Sequence, residues 1–142
     1  MAEFIFVFKS SAFDLSWPTN HRQAVSQPLG RDLAQYLKEM LIKHAIQVRG
    51  PFEGEDGWML ELELNNEQFD VFVQCAAFGD PGDECWVIQP AKKIGVLRTL
   101  FGRPKPGVGV EPLCTILDAV LRNNPRIQTL RTLDWESFRA LY

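Results

Sequence analysis

Between Trp58 and Cys75 apolar and polar residues alternate almost without a break. Trp58, Leu60, Leu62 and Leu64 are interleaved with Met59, Glu61 and Glu63. Beyond Asn65-Asn66, residues Phe69, Val71, Val73 and Cys75 are interleaved with Gln68, Asp70, Phe72 and Gln74. A period of two puts one set on a buried face and the other toward water, the mark of a half-buried strand. Asn tolerates the left-handed backbone that a two-residue loop needs, so Asn65-Asn66 predicts a tight hairpin turn. Pairing Leu64 with Glu67 then sets Leu62 against Phe69, Leu60 against Val71 and Trp58 against Val73, all on one face. A slip of one residue would turn that row to water, which pins the register. The same register sets Glu61 opposite Asp70 on the other face, with Glu63 and Glu67 close by. Like charges facing across strands are mildly destabilising, so their retention points to a purpose other than folding.

The rest of the chain reads as cover for that hairpin. Phe4–Phe8 is a short apolar run, expected to be a strand buried on both faces. Residues 9–27 have no clear period and read as a loop. A helix is expected from about Pro28, with Ser26 as its cap, and Leu29, Leu33, Tyr36, Leu37, Met40, Leu41 and His44 form its apolar stripe. His44, on that stripe, reads as a partly buried ring. Ile46–Arg49 alternates as a strand that Gly50-Pro51 ends, and residues 52–57 form a loop bearing Glu53, Glu55 and Asp56. After turn chemistry at Gly79–Gly82, Trp86–Ile88 is expected to pair antiparallel with Phe69–Cys75. Residues 90–109 are rich in Pro and Gly and irregular, with a short amphipathic turn from Ile94 to Phe101. A second helix starts near Pro112, carries Leu113, Ile116, Leu117, Val120 and Leu121 on one side, and stops at Asn123-Asn124-Pro125. Ile127–Leu133 is the last strand, and Asp134 caps a terminal turn with Trp135, Phe138 and Leu141. Short connections between neighbouring strands predict an α+β fold. It is one domain over residues 1–142, a mostly antiparallel sheet of five or six strands with two main helices on its apolar face. No repeat or linker divides it.

Composition agrees: 142 residues, 46% of them hydrophobic, suffice for a real core. No window approaches the roughly 18 apolar residues of a membrane span. The apolar run near the N-terminus is too short for a signal-peptide core and follows Glu3 rather than a basic stretch, so the expected compartment is the cytoplasm. Cys75, Cys85 and Cys114 are an odd number without CxxC spacing and read as buried thiols. Cys75 and Cys85 can approach across adjacent strands, although cytosolic thiols stay reduced.

Charge changes the picture more. The net charge is only −3, yet residues 51–91 hold ten acids and no Lys, Arg or His. Residues 92–106 then carry Lys92, Lys93, Arg98, Arg103 and Lys105 without an acid. Surfaces ordinarily intersperse both signs.

Most chemistries lack a frame. His21 and His44 have no second ligand at zinc spacing, and the twelve-residue calcium loop is absent, so no metal and no cofactor are expected. Gly102–Gly109 has the outer spacing of a phosphate loop, but Val108-Gly109 stand where Lys-Ser/Thr is required. No GxSxG elbow or cysteine-nucleophile signature occurs. Glu61 and Asp70 are paired carboxylates, but acid–base work needs a concave site rather than a wet hairpin face. A pI of about 5.4 and the ten acids disfavour nucleic acid. Trp58 and Trp86 read as core, while Trp17 and Trp135 are open to a role as interface anchors.

Two functions remain. The leading one is a carboxylate surface for a basic protein partner, built from Glu53, Glu55, Asp56, Glu61, Glu63, Glu67 and Asp70. The stretch GPFEGEDGWMLELEL…FDVFVQ…WVIQP, set between two amphipathic helices, resembles the small cytosolic immunity proteins of bacterial toxin systems, contact-dependent growth inhibition among them. The likeness is one of element pattern over most of residues 29–135 and transfers no residue roles. It implies a non-enzymatic inhibitor of one cognate toxin, for instance a nuclease whose basic active site an acidic protein can block. The rival is a small-molecule-binding or enzymatic domain in which Lys92, Lys93, Arg98 and Arg103 hold an anionic ligand.

Overall fold

The structure is a computed structural model that describes residues 5–10, 30–54, 57–77, 84–92 and 109–141. The elements in chain order are β1 (Ile5–Lys9), α1 (Arg31–Lys43), β2 (Gln47–Glu53), β3 (Gly57–Leu64), β4 (Glu67–Ala77), β5 (Glu84–Lys92), α2 (Glu111–Arg122), β6 (Gln128–Leu133) and α3 (Trp135–Leu141). The six strands form a single sheet in the order β2-β3-β4-β5-β1-β6, with every neighbouring pair antiparallel. The fold is therefore α+β, as the alternating pattern predicts.

The hairpin closes in the expected register. Leu62 faces Phe69, Leu60 faces Val71, Trp58 faces Val73 and Glu61 faces Asp70. Asn65 and Asn66 sit at φ 54° and 63°, the left-handed conformation required of both central residues in this turn. The apolar rows continue sideways: Val73 is paired with Ile88, which faces Phe6, and Cys75 is paired with Trp86, which faces Phe8.

Two helices close this face. The side chains buried on α1 are Leu33, Ala34, Leu37 and Leu41; those on α2 are Leu113, Leu117, Val120 and Leu121. α1 starts from Gly30 at φ +109°, where a Cβ would come within 3.3 Å of Trp86 and 3.4 Å of Val73. Positive φ and the close approach together call for glycine here. The Arg31 guanidinium lies 5.8 Å from the centre of the Trp58 ring, which is itself core. At the entry to α2, Lys92 lies against Gly109, and α1 and α2 touch each other. α3 packs beside β6 through buried Phe138, with the Asp134 carboxylate accepting a 2.7 Å hydrogen bond from the Ser137 N–H as its cap.

In β1 and β5 burial extends to both faces: Ile5, Phe6, Val7 and Phe8 are all inaccessible, as are Cys85, Trp86, Val87 and Ile88 to within a few per cent. Among the described residues, the side of β2, β3 and β4 turned away from α1 and α2 carries exposed side chains, and Arg131 of β6 is exposed on the same face. The β2–β4 half of that face is the more open part.

Some details depart from the sequence reading. Gly50-Pro51 does not end β2; the strand runs on to Glu53 with a register shift between Arg49 and Phe52. Gly50 makes that bulge possible, because at φ +112° a Cβ would stand 2.9 Å from the Met59 carbonyl oxygen. Its own carbonyl accepts a 2.6 Å hydrogen bond from Lys38 Nζ of α1. Phe52 and Glu53 are therefore strand residues, not loop. His44 is exposed at the end of α1 rather than part of its buried stripe. β5 continues through Pro90, paired with Val71, before the irregular stretch. Cys75 faces Trp86 while Cys85 faces Ala76, so their side chains leave opposite faces of the sheet and no bridge can form. All three cysteines remain thiols. The expected helix start at Ser26–Pro28, Trp17, and the turn from Ile94 to Phe101 lie outside the described residues.

Candidate functional site

The open half-face is organised in rows that run across the strands. The first consists of Gln47, Glu63 and Gln68, all exposed. The second consists of Arg49, Glu61 and Asp70. The third consists of Phe52, Met59 and Phe72, followed by Gln89 on β5. Directly opposed residues of antiparallel strands share a face, and rows two residues apart are separated by roughly 7 Å along the strand.

The seven carboxylates singled out from the sequence are divided by this register. Glu61, Glu63 and Asp70 share the open face. Glu53 is opposite Trp58 and Glu67 is opposite Leu64, so both belong to the rows under the helices, at opposite ends of the hairpin. Both are exposed there, yet neither stands with the other three. Glu55 and Asp56 lie outside the described residues. A single patch of seven is therefore not what the register builds.

Charge opposition at the centre is also relieved. Arg49, from the neighbouring β2, places Nη2 2.9 Å from Glu61 Oε2. The Arg49 side chain is 72% exposed and that of Glu61 only 22%, so the guanidinium covers the carboxylate from the solvent side. The like charges of Glu61 and Asp70 thus face each other with a cation beside them. On the other face of the sheet, Glu67 Oε1 meets Lys92 Nζ at 3.2 Å. Of the alternative anion-binding set, Lys92 is held in this way, and Lys93, Arg98 and Arg103 lie outside the described residues.

No known protein family, characterised protein or solved structure matches this chain.

The apolar row is the component that the sequence reading left unweighed. Phe52 and Phe72 are each 43% exposed, and Met59 lies between them in direct register. They flank a recess of about 380 Å³ that reaches Gly57, Trp58 and Gln74. A second recess, about 320 Å³, lies against the charged rows and is lined by Gln47, Arg49, Glu61, Glu63 and Gln68 among others. The signal was present: Met59 and Phe72 are the two apolar residues in the polar phase of the hairpin, where water should be the only neighbour.

Other chemistry finds little purchase. Burial, with the Glu111 carboxylate adding to it, pushes the Cys114 thiol up to about 12 and keeps it protonated. Among the described residues, no three His, Cys, Asp or Glu side chains gather closely enough to hold a metal ion. No helix among them is long and apolar enough to cross a membrane.

Proposed function

We propose that this chain is a non-enzymatic inhibitor that works by binding another protein, an immunity protein that neutralises a cognate bacterial toxin in the cytoplasm. The observation that carries the reading is the placing of Glu61, Glu63 and Asp70 in adjacent rows on the β2–β4 half of the sheet face turned away from α1 and α2, against the single guanidinium of Arg49 among the described residues there. Exposed at Gln47, Phe52, Glu63, Gln68 and Phe72, such a half-face suits a protein surface better than a small substrate. Among the described residues its charge is net negative, which favours a basic partner, speeding encounter and setting orientation. A nuclease, whose substrate path is cationic, is a partner of the right chemistry. An anionic-ligand site on the basic segment has no comparable support, since Lys92 is engaged by Glu67.

The test is titration calorimetry with the protein domain that the adjacent reading frame encodes. A complex is expected that weakens at least about tenfold when salt rises from ~50 to ~300 mM, and again for Glu61→Lys combined with Asp70→Lys. Circular dichroism of the double variant must keep the native spectrum. A complex indifferent to both changes, or no complex with a cationic toxin, would falsify the reading.

A further inference from the structure

We draw no further inference here: the strongest candidate, the exposed apolar row of Phe52, Met59 and Phe72 across β2, β3 and β4 with the recess beside it, carries nothing because nothing in the structure shows what covers it.

Discussion

At the scale of single residues, two groups have titration behaviour with a visible cause. The Ser137 backbone N–H, then its hydroxyl, stabilises the Asp134 carboxylate and holds it below its ordinary value of 3.8. A depressed folded value means that this capping contribution is complete above the unfolded value and is lost as pH falls through the folded one. Asp134→Ala should therefore lower the melting temperature more at pH 7 than near pH 2, while Asp134→Asn, a neutral acceptor, should keep a part of the cap that does not depend on pH. Equal losses for Ala at both pH values would show that Asp134 does not act through its charge. Cys114 runs the other way. Raised from 9.0 to about 12, its thiol favours the fold below pH 9, and that contribution disappears as pH climbs toward 12. At pH 8 its thiolate is depleted about a thousandfold relative to an ordinary thiol, so iodoacetamide should label it only in the unfolded chain. Rapid labelling of native Cys114, read by peptide mass spectrometry, would contradict a half-buried thiol held protonated by its surroundings.

At the scale of elements, the hairpin β3–β4 and the bulge in β2 are the points of control. Asn66 at φ 63° makes Asn66→Val expensive, by about 1–2 kcal/mol, whereas Asn66→Gly should be neutral or mildly stabilising. Gly50→Ala sets a Cβ against the Met59 carbonyl, and at least about 1 kcal/mol should be lost in urea denaturation. If Gly50→Ala melts with the wild type, the bulge is not under the constraint described. The bulge also serves the candidate site, because it returns Phe52 to the open face beside Met59 after Arg49 has reached Glu61. Leu60→Ala, at a fully buried position in the same hairpin, should cost about 2–5 kcal/mol. Glu63→Gln on the other face should stay within about 0.5 kcal/mol while slowing association with a basic partner.

At the scale of the molecule, the helix-covered core and the candidate recognition rows lie on different faces. The core lies under α1 and α2 and around β1 and β5, where Phe6, Phe8 and Trp86 are wholly enclosed. The ion pairs Arg49–Glu61, Lys92–Glu67 and Arg122–Asp118 all reach solvent. Salt up to ~0.5 M should consequently move the melting temperature by no more than about 2 °C, while complex formation falls steeply. A melting temperature that drops in step with affinity would tie the charged rows to folding after all.

The alternating pattern was sufficient for what local rules govern: the hairpin and its register, the Asn-Asn turn, the stripes of both main helices, the cap at Asp134 and the α+β class. Each depends on neighbours two to four residues apart, so the pattern carries it directly. Sheet order belongs to longer range. Nothing near Phe4–Phe8 says that β1 inserts between β5 and β6. The candidate site was legible only in part for the same reason. Glu61 opposite Asp70 follows from one hairpin, but the arrival of Arg49 beside Glu61, and of Phe52 beside Met59, depends on how β2 docks around its bulge. Of the five candidate acids that are described, three therefore share one face, joined by an apolar row, because side-chain direction is set by pairing between strands and not by position along the chain.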